Sequence, residues 1–199
     1  MEAPVKHNFV VNFGLALLLS TTLGLFSIKA QVPPIPPPDQ EMLAELVQAT
    51  PPTGIERFLA LSHLAKAAFD AAELNKAEDY ARELLSAAHE HPKWNRGNAI
   101  FYGNMVIGRV ALRRDRNVAL ANSSLLASAQ TPGSPTLNTF GPNMSLARDL
   151  LTVGERDTVL EFFTLCRSFW KMDFGKLDDW TAIVKDGGIP DFGGNLVFY

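Results

Sequence analysis

The segment Leu74-Asn75-Lys76-Ala77-Glu78-Asp79-Tyr80-Ala81-Arg82-Glu83-Leu84-Leu85 decides how the chain reads. Its apolar residues Ala77, Tyr80, Ala81, Leu84 and Leu85, continued by Ala88, recur at three- and four-residue spacing and share one stripe of an α-helix. Leu74-Asn75 is a short break ahead of the stripe, and His91-Pro92 closes it, because proline lacks an amide donor and crowds the preceding turn.

The same period runs outward in both directions. Upstream, Ile55, Phe58, Leu59, Ser62, Ala65, Phe69 and Ala72 form a stripe behind Thr53-Gly54-Ile55-Glu56. That tetrad has the form of a capping box, in which the threonine caps and the glutamate reaches back. Asp39 is a good N-cap for an earlier helix through Ala49, with Met42, Leu43, Leu46 and Val47 on one face, and Thr50-Pro51-Pro52 stops it. Downstream, a helix from about Arg96 to Arg113 precedes the polar turn Asp115-Arg116-Asn117, and Val118, Ala121, Leu125, Ser128 and Ala129 form the next stripe. After a loop from Thr131 to Gly141, Pro142 suits the first turn of a helix carrying Ala147, Leu150 and Leu151, which Gly154 can end in a left-handed turn. Val159, Phe162, Phe163, Cys166, Phe169 and Trp170 make the strongest stripe, and Leu177, Trp180 and Val184 mark a last helix around Lys176 to Lys185. No stretch after residue 39 sustains the alternation of a strand, so the expected class is all-α. The tail 187–199 has no helical period, and its apolar end, Leu196 to Tyr199, is expected to dock back on the domain.

Residues 1–30 read as an address. Lys6 and His7 precede an apolar run from Phe9 to Ile28, and Lys29-Ala30 ends it, the form of a secretory signal peptide cut before Gln31. An uncleaved anchor is the alternative, since the run is long enough to span a bilayer. Val32-Pro33-Pro34-Ile35-Pro36-Pro37-Pro38 should then be a stiff, extended spacer. The expected organisation is signal 1–30, spacer 31–38, helical domain 39–186 and irregular tail 187–199. The implied location is secreted or periplasmic, with membrane attachment only if the first segment stays on.

Composition excludes several classes. The 199 residues carry a net charge of −3, which offers no electrostatic footprint for nucleic acid. One cysteine, Cys166, allows neither an internal disulfide nor a four-cysteine metal site. No phosphate loop, nucleophile elbow or paired zinc histidines occur, so neither a cofactor nor a catalytic residue is assigned.

Short turns at Leu74-Asn75, Asp115-Arg116 and Gly154 pair the helices into three antiparallel hairpins. In each second helix a small or β-branched residue comes early (Ala77, Ala121, Val159), with larger residues following on the same face. In this respect residues 54–170 resemble three degenerate tetratricopeptide repeats, the best match being Ala72 to Pro92. The markers lie 44 and 38 residues apart, longer than the ~34 of the regular repeat, and a related α-solenoid or helix-hairpin stack satisfies the same observations. What the resemblance implies is a concave surface that holds a peptide or partner protein.

On the fourth helix Asn98, Tyr102, Arg109 and Arg113 share a narrow sector, opposite Ile100, Val106, Ile107, Val110 and Ala111. This polar sector is expected outside the core, either as a solvated face or as a holder of a carboxylate or other anion. The 131–141 loop is long for a helix–helix connection; Asn138 and Asn143 are candidates for reading a peptide backbone, and Phe140 for anchoring an apolar group. Leu137 and Phe140 would equally plug a gap between hairpins. His89 and His91 point to nearly opposite sides and lack a third ligand, Cys166 lies in an apolar stripe, and Asp173, Asp178 and Asp179 lack calcium-loop spacing, so no metal site is expected. Asn122-Ser123-Ser124 and Asn143-Met144-Ser145 are glycosylation sequons. Three functions fit: a peptide- or protein-binding scaffold, a small extracytoplasmic enzyme with a site near 131–143, and a membrane-anchored assembly subunit.

Overall fold

The computed structural model describes residues 40–90 and 93–197. The expected signal, the spacer, Asp39, His91-Pro92 and Phe198-Tyr199 lie outside those residues. Within them the chain is all-helical, in the order α1 (Gln40–Ala49), α2 (Gly54–Asp70), α3 (Leu74–Ala87), α4 (Lys93–Arg114), α5 (Val118–Ala129), α6 (Pro135–Thr139), α7 (Ser145–Thr152), α8 (Arg156–Cys166) and α9 (Lys176–Lys185).

The stripes become the core. Ala77, Ala81, Leu84 and Ala88 of the α3 row, Ala121 and Leu125 of α5, and Val159, Phe162, Phe163 and Cys166 of α8 are all buried. Small residues on α3 and α5 let their backbones approach α4, which is thin at the same heights. A Cβ on Gly103 would lie 2.7 Å from Leu85 Cγ, and one on Gly108 would lie 2.9 Å from Ser124 Cβ. α4 is consequently the centre of the molecule, packed by α3 and α5 and also by α2, α6 and α7. Consecutive helices α2 to α5 pack in turn; beyond them α2 meets α4, α4 meets α7, and α5 meets both α7 and α8. Polar ties cross the first hairpin: Arg57 donates to both Glu83 oxygens at 2.7 and 2.8 Å while lying over the Tyr80 ring.

Several local expectations change. Thr53 is the N-cap of α2 with extended backbone, but its side chain makes no capping bond, so the box with Glu56 does not form. The first break falls earlier, at Ala71 to Glu73, with Ala72 in the left-handed region at φ 60°. Ile55 and Leu59 remain exposed, and Leu61, Leu64 and Ala68 fill the core in their place. Pro142 stands ahead of α7 instead of in its first turn. Phe169 and Trp170 are buried beyond the end of α8. The long loop contains α6, capped by Ser134, whose Oγ accepts from the Leu137 amide at 3.0 Å. Gly154 ends α7 at φ +97°, as its position suggested.

The tail docks, and of its expected apolar end Leu196 packs against the core. Phe192 is buried against Trp180, ring centroids 4.9 Å apart and near-perpendicular, whereas Val197 is exposed. Asn195 Nδ2 donates to the carbonyls of Phe140 and Pro142, both at 3.0 Å, and its own carbonyl accepts from the Met144 amide at 2.7 Å.

One close approach yields a prediction. A Cβ on Gly97 would stand 1.8 Å from the Gly133 carbonyl oxygen. Gly133 cannot retreat freely, since its own added Cβ would meet Phe169 Cβ at 2.9 Å and its φ is +77°. Gly97→Ala is expected to cost roughly 1–3 kcal/mol through overpacking, although alanine is the better helix former by about 1 kcal/mol. A denaturation midpoint equal to or above wild type would show that α4 and the 131–133 segment are not held this closely.

Candidate functional site

The α4 sector expected outside the core is largely inside it. Tyr102 and Met105 are buried, with Tyr102 edge-on to Phe101 at 5.3 Å. This corrects the solvated-face expectation: because α2, α6 and α7 all reach α4, no side of the helix is left open along its whole length. Asn98 is used structurally. Its Nδ2 donates to Asn95 Oδ1 at 2.9 Å, and its Oδ1 accepts from Ser134 Oγ at 2.5 Å, which fastens the start of α6 to α4.

Toward the C-terminal end of α4 the sector becomes strongly charged. Arg109 Nε donates to Asp149 Oδ2 of α7 at 3.0 Å, with the two side chains 10% and 2% exposed. The Arg109 guanidinium lies 4.2 Å from the Phe69 ring centroid of α2, so one side chain joins three helices by an ion pair and a cation–π contact. The carboxylate suggested for Arg109 is thus supplied by the chain itself.

Arg113, one turn on, is partly exposed. Its Nε is buried and has no hydrogen-bond partner among the described residues. Burial holds its pKa below the ordinary arginine value; the Asp149 charge opposes that, and Arg109, Arg116 and Arg148 reinforce it. Arg148 Nη2 stands 3.7 Å from Asp149 Oδ1, beyond hydrogen-bond length, and its Nε is likewise buried without a partner. One carboxylate therefore sits among a group of guanidinium cations where α4 meets α7.

Arg148 and Asp149 are absent from the sequence-based candidates. The available signal was their setting: a charged pair between Leu146-Ala147 and Leu150-Leu151 in an eight-residue helix. On so short and apolar an element a charge must lie beside the core, and a buried charge needs a partner.

The loop residues separate. Asn143 is buried; its Nδ2 donates to the Leu196 carbonyl at 3.2 Å, and its Oδ1 accepts from the Ser145 amide at 2.8 Å. It does read a backbone, but that of its own chain. Asn138 Oδ1 accepts from the Lys171 amide at 3.1 Å, and its carbonyl from Met172 at 3.3 Å. Phe140 is exposed, and Leu137 is the residue that plugs the core. A shallow depression of about 380 Å³ beside this loop is lined by Pro132, Gly133, Ser134, Asn138, Ser168 and Phe169 among others, with no titratable side chain. It offers a surface and no acid–base chemistry.

The other sequence candidates have plain surroundings. Burial pushes the Cys166 thiol well above its ordinary pKa, which keeps it protonated. Asp178 pairs with Arg167 at 2.8 Å. Among the described residues no three His, Cys, Asp or Glu side chains gather as metal ligands, and no helix is long and apolar enough to cross a membrane. Both sequon asparagines make side-chain bonds, Asn122 to Glu155 at 2.6 Å and Asn143 as above. No family model, no curated protein and no solved structure matches the chain.

Proposed function

We propose that this is an exported stack of helix hairpins, of the tetratricopeptide-like or a related α-solenoid kind, that holds a peptide or protein partner outside the cytoplasm. The observation that carries the reading is the order of packing: α2 against α4 and α4 against α7, with α5 against α8. Successive hairpins stacked in one direction would make such contacts, and in such stacks the first helices share a face. On α2 that face has a row the core leaves uncovered. Ile55, Leu59, Ser62 and Lys66 follow one another at helical spacing beside Phe58 and Phe69, and Ile55 and Leu59 are exposed. The apolar run and small-residue exit of residues 1–30 support export, and the net charge of −3 argues against nucleic acid as the partner.

The test is site-specific photo-crosslinking in the native host, with the full chain carrying the reactive residue at Leu59 or Ser62 on the front of α2, or at Ser86 on α3. A discrete protein adduct is expected from the first two positions and not from the third. Absence of adducts at the front, or the same ladder from all three, would defeat the scaffold reading. In the same purified protein, an intact mass starting at Gln31 is expected from export with cleavage; a chain still starting at Met1 would point to the membrane-anchored alternative.

A further inference from the structure

We infer that Arg113 of α4 and Arg148 of α7, which share the charged cluster around Asp149, form a binding site for one oxyanion, a carboxylate or phosphate group carried by a ligand. The inference rests on the geometry of this cluster and stands whether or not the scaffold reading holds.

Charge balance comes first. Among the described residues the acidic group acting on Arg113 is Asp149, against Arg109, Arg116 and Arg148 of its own sign. Asp149 Oδ2 is taken by Arg109 at 3.0 Å. Its Oδ1 makes no hydrogen bond, with Arg148 still 3.7 Å away. The internal carboxylate thus satisfies one arginine and leaves a surplus of positive charge at one spot on an otherwise acidic chain.

Hydrogen-bonding capacity points the same way. Arg57, Arg82, Arg114 and Arg167 each donate to a carboxylate at 2.5–2.9 Å. Arg113 and Arg148 depart from that pattern, as does Arg96 elsewhere on α4: the Nε of each is buried with no acceptor among the described residues. Buried donors without acceptors are rare in folded proteins and call for an explanation. An oxyanion between the two side chains would accept from both forks, in the bidentate geometry that suits guanidinium to carboxylate and phosphate.

Access is the third condition. Arg113 is partly exposed and the Arg148 side chain is 35% exposed, so a ligand can reach them, whereas Arg109 at 10% is held inside. Division of labour follows. Arg109 and Asp149 fix α4 to α7, and that junction sets the spacing of the two outer arginines. An incoming anion faces some repulsion from Asp149, which favours a singly charged group over a multiply charged one.

The experiment is a titration of the full chain, labelled with ¹⁵N at arginine, with inorganic phosphate and separately with succinate. Sodium chloride at matched ionic strength is the reference. Saturable shifts of the Arg113 and Arg148 side-chain signals are expected. Arg113→Gln or Arg148→Gln should each weaken the apparent affinity by roughly tenfold, the scale of one charge-assisted hydrogen bond. Arg167→Gln, whose side chain pairs with Asp178 instead, should leave it unchanged. Tighter binding of succinate would identify a carboxylate ligand and tighter binding of phosphate a phosphorylated one, both within the proposal. Shifts that follow chloride alone, or affinity unmoved in both variants, would overturn it. If a glutamine variant loses its folded spectrum, Arg113→Lys keeps the charge and removes the fork. Affinity unchanged in that variant would then count against the site.

Discussion

Replacing Asp149 by alanine is expected to destabilise the fold by about 3–5 kcal/mol, the cost of stripping the partner from a buried charge. The carboxylate is 2% exposed and holds Arg109, itself 10% exposed, at 3.0 Å. Without it the Arg109 guanidinium stays in the seam between Phe69 and α7, with Arg113 and Arg148 still nearby. The Arg109 guanidinium, deprived of that carboxylate and repelled by two neighbouring cations, cannot stay desolvated at no cost, so α7 must separate from α4 or water must enter. Asp149→Asn keeps an acceptor for Arg109 Nε and should lose less. Exchanging both partners for apolar side chains, Arg109→Met with Asp149→Leu, should recover most of the loss, because the two desolvation costs vanish together. Urea denaturation of the four proteins checks this. A loss below about 1 kcal/mol for Asp149→Ala would mean that the pair behaves like an exposed one.

The misreading of that region shows where sequence reasoning runs out. Helix positions were legible because each helix buries a stripe whose period is written in consecutive residues: α3, α5, α8 and α9 fall where the rows Ala77–Ala88, Val118–Ala129, Val159–Cys166 and Leu177–Val184 put them. The surroundings of α4 were not legible, since they are made by residues far along the chain. Asp149 lies 40 residues beyond Arg109, and no periodicity encodes such a meeting. Residue type marks Arg109 and Arg113 as able to hold a carboxylate; Arg109 meets one, and it is internal, the side chain of Asp149. Local signals failed for a related reason. Thr53 and Glu56 have the spacing of a capping box, but the structure gives the threonine side chain no capping bond. Asn138 and Asn143 carry the amide groups that read backbone, and the backbone they read is their own, because α6 lies beside the segment after α8 and the tail lies beside the start of α7.

α9 and the tail should come apart from the rest before the whole molecule unfolds, and Phe163→Ala is the substitution that exposes it. Phe163 is fully buried on α8, with ring centroids 6.2 Å from Phe162, 6.1 Å from Trp180 of α9 and 6.3 Å from Phe192 of the tail. Trp180 in turn sits 5.7 Å from Trp170 and 4.9 Å from Phe192. One ring therefore joins α8 to both elements that follow it. Truncation to alanine removes a buried aromatic and leaves a cavity, a change that costs about 3–5 kcal/mol. The cost is not expected to be shared evenly. α9 packs on α8 and on no earlier helix to a comparable extent, whereas α2 to α5 are bound by successive mutual packing. Amide exchange should accelerate across 176–185 and the tail while α3 and α4 keep most of their protection, the behaviour of a separate cooperative unit. Tryptophan emission should shift to the red as Trp170 and Trp180 meet water. Uniform acceleration in all helices would instead show one cooperative fold in which α9 is as integral as α4. The distinction bears on the proposed function: a C-terminal unit that releases independently would bare the α8 surface around Phe163 that Trp180 and Phe192 cover, whereas a single cooperative fold keeps it covered and leaves the exposed row of α2 for the proposed partner.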